Sequence, residues 1–96
     1  MRNDSDISLN EMMVLDIGAG DGESSVLLNK KGSFVISLDY DLKMLKKGLR
    51  KSKITKGQAV LADAKYLPFK DDYFDLVYSR YVLHWQNGRR IDGAPS

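Results

Sequence analysis

The chain has no cysteine, and among its 96 residues there are only one histidine, one tryptophan and two prolines. Without cysteine it has no disulfides and no thiolate metal ligands. No apolar run approaches the roughly 20 residues that a membrane-spanning helix requires, so no membrane insertion is expected. The opening stretch "MRNDSDISLNE" is polar and acidic and lacks the apolar core of a signal peptide, which predicts a cytoplasmic protein. A strong excess of one charge is also missing. Fifteen basic against thirteen acidic residues give a net charge of +2, too small by itself to indicate a nucleic-acid partner. A chain of this size buries only about two-thirds of its unfolded surface, so its core is modest.

Charge is unevenly placed. Lys43, Lys46, Lys47, Arg50, Lys51, Lys53 and Lys56 fall within "DLKMLKKGLRKSKITKG". Such a cluster is either a footprint for phosphates or a solvated helix face. Leu42, Leu45 and Leu49 form an apolar stripe opposite the lysines, which favours the solvated face. A nucleic-acid partner stays open without being indicated.

Short apolar runs alternate with amphipathic ones. "MMVLDI" reads as a doubly buried strand ended by Gly18, and "ESSVLLNKK" as a short helix stopped at Gly32. "SFVISLD" is a second strand, after which Asp41 is placed to cap the basic helix. Gly48 inside that helix weakens it by about 1 kcal/mol relative to alanine. "QAVLAD" and "FDLVYS" read as third and fourth strands separated by a loop in which Pro68 excludes helix at Leu67. "RYVLHW" begins another helix or turn, and residues 86–96 look like a flexible tail. Strands alternating with helices predict an α/β fold with a parallel sheet and right-handed crossovers. The ligand site of such a sheet lies at the carboxyl ends of its strands. Asp16, Asp39, Asp63 and Ser79 all fall at such ends.

"VLDIGAGDGESS" places Gly18, Gly20 and Gly22 directly after the first strand. A dinucleotide-binding loop would be G-x-G-x-x-G, but Glu23 stands where its third glycine belongs. Asp16, Asp21 and Glu23 would also surround a pyrophosphate with like charge, at about 4 kcal/mol per contact near 4 Å for an effective dielectric of 20. There is no G-K-[ST] for a P-loop. The loop therefore suits a ligand that is neutral or cationic here. Asp39, about twenty residues further on, is placed to accept ribose hydroxyls; its other reading, a helix cap, is better filled by Asp41.

The ordered pattern "VLDIGAGDG", "VISLDYDLKML" and "ADAKYLPFKDDYFDLVYSRYVLHW" resembles the cofactor-binding half of class I S-adenosylmethionine-dependent methyltransferases. More narrowly, it is similar to the subgroup that carries D-A-x-x-L-P-F and F-D-x-V runs. The resemblance covers residues 13 to about 85 and implies a Rossmann-like sheet in the order 3-2-1-4, with helices on its faces. It implies S-adenosyl-L-methionine as cofactor, a molecule without phosphate that carries a sulfonium and an ammonium. By position, Asp16 would reach the ammonium, Gly18 and Gly20 would let the backbone approach the ligand, and Gly22 would allow the turn into the helix. Asp39 would hold the ribose and Tyr40 lie against the adenine. Asp63 and the Ala64 N–H would meet the adenine edge, and Ser79 would border the methionine end.

The resemblance leaves the methyl acceptor, a small molecule or a tRNA, and any catalytic base unassigned. His84 as a base competes with a packed residue beside Trp85, and "YSRY" departs from the N-P-P-Y of enzymes acting on adenine or amide nitrogens. Family members continue for about three more strands, so the chain reads as one incomplete domain. Its fourth strand would then be a bare edge open to a homo-oligomer or partner chain. Two alternatives are a non-catalytic S-adenosylmethionine- and S-adenosylhomocysteine-binding module that needs a partner, and a dinucleotide-binding protein, which the acidic loop disfavours.

Overall fold

The computed structural model describes residues 8–70, 72–79 and 82–85. It contains β1 (Met13–Ile17), α1 (Glu23–Lys30), β2 (Phe34–Asp39), α2 (Leu42–Arg50), β3 (Ala59–Leu61), β4 (Leu76–Ser79) and β5 (Val82–Trp85). The sheet order is β3-β2-β1-β4-β5. The first four strands are parallel, and β5 runs antiparallel to β4. The strand β1 is central, and its apolar run is explained by burial on both sides.

Alternation along the strands builds two cores. Val14, Val35 and Leu76 share one face with Leu28 of α1 and with Leu9. Leu15 and Leu38 point to the other face with Phe74, against Ile36, Val60, Phe69 and Val77. Each fully buried leucine or valine contributes about 1.5–3 kcal/mol relative to an exposed one. The crossovers β1–α1–β2 and β2–α2–β3 step in the same direction across the sheet, so right-handed connection sets both helices on the first face. The second face is lined by Ala62, Phe69 and Phe74.

Local chemistry explains the element ends. Asp41 accepts hydrogen bonds from the N–H groups of Lys43 (3.0 Å) and Met44 (3.3 Å), capping α2 as expected. The helix α1 starts without a side-chain cap, at Gly22 in the left-handed region (φ 100°). Asp75 joins the starts of β1 and β4 twice, since its N–H donates to the Met13 carbonyl at 2.9 Å and its Oδ2 accepts from the Met13 N–H at 2.9 Å.

One expectation is corrected. The segment read as a helix or turn after β4 is a strand, with Ser79 paired to Val82 and Leu76 to Trp85 across two intervening residues. A two-residue connection is the commonest hairpin length, and the β-branched and apolar residues of the segment suit a strand. The sheet thus has five strands instead of four, and the fourth-strand edge expected to be bare is covered by β5. The expected tail, 86–96, lies outside the described residues.

Gly48 is buried in the middle of α2, where a Cβ would lie 2.7 Å from the Asp21 carbonyl oxygen and 2.6 Å from Ile54 Cδ1. The helix approaches the glycine loop at this point, and the backbone contact cannot give way cheaply. Gly48→Ala, which favours an isolated helix by about 1 kcal/mol, should therefore destabilise this chain by about 1–2 kcal/mol net through overpacking. Urea unfolding measures the effect; a raised midpoint would show that the contact is slack.

Candidate functional site

The carboxyl ends of β1, β2 and β4 lie side by side because their registers bring Asp16 opposite both Ser37 and Tyr78, and Ile17 opposite Ser79. The chain leaves β1 through the glycine loop and enters α1 above this edge. A cavity of about 370 Å³ opens there, lined by Asp16, Ile17, Gly18, Ala19, Glu23, Ser24, Tyr78 and Ser79. That volume is within the range of small-molecule sites.

Asp16 has no solvent-exposed surface. Its Oδ2 accepts hydrogen bonds from the hydroxyls of Ser24 and Ser25, both at 2.7 Å, and Ser25 is itself 2.6 Å from the Ser37 hydroxyl. Its Oδ1 has no hydrogen-bond partner, the one such buried side-chain atom among the described residues. Burial pushes the Asp16 carboxyl above the usual carboxylate range, the two serine hydroxyls oppose that rise, and the nearby Asp39 charge adds to it. A buried acceptor without a donor is costly, and it marks a place where a donor or cation fits.

Asp39 has a structural task that the sequence reading did not include. Its Oδ2 accepts from the Gly20 N–H at 2.7 Å and its Oδ1 from the Asp41 N–H at 2.9 Å. It thereby ties the glycine loop to the end of β2. Each carboxylate oxygen has two lone pairs, so an acceptor position per oxygen is left for a ligand hydroxyl.

The structure groups the expected residues unequally. Asp16, Gly18 and Ser79 line the cavity, and Gly20 is joined to Asp39. Gly22 stands at the start of α1, where a Cβ would come within 2.9 Å of Lys53 and Ile54 side-chain atoms. Tyr40 is 83% exposed at the end of β2. Asp63 is exposed, and its Oδ1 accepts from the Lys65 N–H at 2.9 Å. Ala64 lines a second cavity of about 330 Å³ on the other sheet face, with Leu15, Leu67, Phe69, Phe74 and Val77. His84 is exposed and lines neither cavity.

Sequence reasoning missed Ser24, Ser25, Ser37, Glu23 and Tyr78. Ser37 alone left a trace, as a hydroxyl within the otherwise apolar run "FVIS", where burial demands a partner. The basic cluster is partly engaged with the acidic loop. Lys47 lies 3.9 Å from Asp21, and Lys53 pairs with Glu23. Both pairs are partly solvated, so each contributes little to stability.

A family model for a methyltransferase domain matches residues 15–91. The chain is similar to a malonyl-[acyl-carrier protein] O-methyltransferase of Hamiltonella defensa, with 40% identity over 79 residues, covering 81% of this chain and 30% of that protein. It is also similar to the mitochondrial arginine-hydroxylase NDUFAF5 of Homo sapiens, with 38% identity over 84 residues, covering 85% of this chain and 24% of the relative. The crystal structure of a protein from Pyrococcus horikoshii OT3 superposes with a TM-score of 0.63 at 33% identity, over 71% of this chain and 31% of that one. The chain thus spans about a third or less of the length of these relatives. No helix among the described residues is long and apolar enough to cross a membrane.

The raised Asp16 carboxyl has a consequence for the ligand-free chain. The folded state holds this proton more tightly than the unfolded state does, so the contribution is present below the ordinary carboxylate range. It is lost as pH rises through the raised value. At neutral pH Asp16→Asn removes the buried charge while its side-chain oxygen can still accept from Ser24 and Ser25. Urea midpoints at pH 7 should be higher for Asp16→Asn than for the parent, and the gap should close as pH falls towards 4. A lower midpoint at pH 7 would show that ionised Asp16 stabilises the fold.

Proposed function

The chain belongs to the methyltransferase domain family, and from that premise we propose that it binds S-adenosyl-L-methionine at the β1–β2–β4 edge as the cofactor-binding part of a methyltransferase. The observation behind the reading is the partnerless Oδ1 of buried Asp16 beside a cavity of suitable size. An ammonium group supplies the donors and the charge that this atom lacks. Asp16, Glu23 and Asp39 around one loop repel a pyrophosphate and tolerate a cation. The cofactor, when bound, supplies a methyl group activated on a sulfonium.

In this reading the residues of the chain bind and orient. Asp16 receives the methionine ammonium, directly or through a water, and Gly18 and Gly20 bring backbone N–H groups close to the ligand. Gly22 permits the turn into α1, Asp39 accepts the ribose hydroxyls on its remaining lone pairs, and Tyr40 offers a ring to the adenine. Asp63 and the Ala64 N–H meet the adenine edge, and Ser79 borders the methionine end. Methyl transfer is an in-line displacement that gains most from positioning, so a dedicated base is not required. The acceptor is unassigned, a small molecule or a tRNA, and the sequence favours action in the cytoplasm. A second reading is a module that binds the cofactor while the acceptor site comes from another polypeptide. Methyl transfer to trial acceptors by this chain alone would favour the enzyme over the module.

Calorimetric titration with S-adenosylhomocysteine should give a saturable heat and titration with NAD none; the reverse pattern would overturn the cofactor assignment. Asp39→Ala should weaken S-adenosylhomocysteine binding by about 1.5–3 kcal/mol, because the ribose hydroxyls lose a charged acceptor. An unchanged affinity would remove Asp39 from the site.

A further inference from the structure

The three hydroxyls around Asp16 have a direction. A serine carries one proton, and an ionised carboxylate only accepts. Ser25 therefore donates to Asp16 Oδ2, and across the 2.6 Å contact Ser37 must donate to Ser25. Ser24 donates to the same Oδ2. One carboxylate oxygen thus receives two donors from α1, one of them backed by a third hydroxyl on β2, and the other oxygen receives none. A proton arriving at Asp16 would collide with two donors at Oδ2, so it goes to Oδ1.

The geometry points to a serine relay, Ser37 to Ser25 to Asp16, which reserves Oδ1 for a single occupant, so that a proton and the cationic group of the ligand compete for the same atom and binding is coupled to proton release. This deepens the cofactor reading and rests on it for the identity of the cation. Ser25 and Ser37 are then positioning residues that act through Asp16 and touch no ligand themselves. Neither lines the cavity, whereas Asp16 does.

Charged and titratable groups face Asp16 from four elements. Asp39 faces Asp16 from the end of β2 and disfavours its ionisation. Glu23 of α1 lines the same cavity but pairs with Lys53, and Asp21 of the loop lies near Lys47. Tyr78 of β4 lines the cavity wall. Burial already lifts the Asp16 carboxyl above the usual carboxylate range, and the relay counters the rise by solvating the ionised form.

The test is S-adenosylhomocysteine titration from pH 4.5 to 8, in buffers of different ionisation heat, on the parent chain, Ser25→Ala, Ser37→Ala and Ser25→Thr. The parent should release protons on binding and lose affinity about tenfold per pH unit once Asp16 is protonated. In Ser25→Ala that acid limb should move to higher pH. Ser37→Ala should move it less, and Ser25→Thr, which keeps the hydroxyl, should restore it. A uniform loss of affinity at every pH, with the limb unmoved, would reduce the serines to a packing role and overturn the relay. Carbon NMR of the Asp16 carboxyl in the ligand-free chains separates this from the cofactor reading. If the parent binds no S-adenosylhomocysteine yet Ser25→Ala raises the Asp16 titration, the cofactor assignment fails and the relay stands. An Asp16 titration that is the same in the parent, Ser25→Ala and Ser37→Ala overturns the relay whatever binds.

Discussion

A carboxylate without solvent contact at the end of the central strand is the constraint on which this site depends. Asp16 is register partner to Ser37 on one side and Tyr78 on the other, so its charge sits where three parallel strands and a helix start converge. Such a charge cannot be left bare in a low-dielectric surrounding. The fold meets half of the need with hydroxyls from α1 and leaves the other oxygen, also buried, without a donor in a residue that lines a cavity. The position of α1 follows from the same requirement. Ser24 and Ser25 are in its first turn, and they reach Asp16 only if the helix begins immediately after the glycine loop.

The loop in turn is fixed from outside itself. Asp39 holds the Gly20 N–H from the end of β2, and α2 presses on the loop through Gly48 and the Asp21 carbonyl. Lys47 and Lys53 approach Asp21 and Glu23 from the basic segment. The basic cluster, whose alternative reading was a phosphate footprint, therefore spends part of its charge on the chain's own acids. These exposed pairs add little energy, but they moderate the negative field around the loop. Family membership accords with this arrangement, since an acid-rich, glycine-lined strand end suits a ligand bearing ammonium and sulfonium groups better than one bearing phosphates.

Several features were legible in the residues themselves because they are local or periodic. The Asp41 cap depends on two N–H groups within three residues, the parallel sheet follows from alternating strands and helices, and the order 3-2-1-4 was implied by the family resemblance. Other features were not. "YVLHW" is too short for its periodicity to separate strand from helix, and the free edge of β4 decided in favour of strand. Gly48 looked like a weak point in a helix until the carbonyl beneath it was in view. Asp39 was read as a ligand residue, and its hold on the Gly20 amide depends on a loop nineteen residues earlier in the chain.

By itself the sequence determined the first four strands and both helices, the acid-lined glycine loop and the family that the loop resembles, because spacing, turn chemistry and charge sign are properties of neighbouring residues. Tertiary structure alone decided which of the acids is buried, which of its two oxygens is left without a donor, and that serines from a helix and a strand meet at it. Those are distances between segments brought together by packing, and no local pattern encodes which hydroxyl will find which carboxylate.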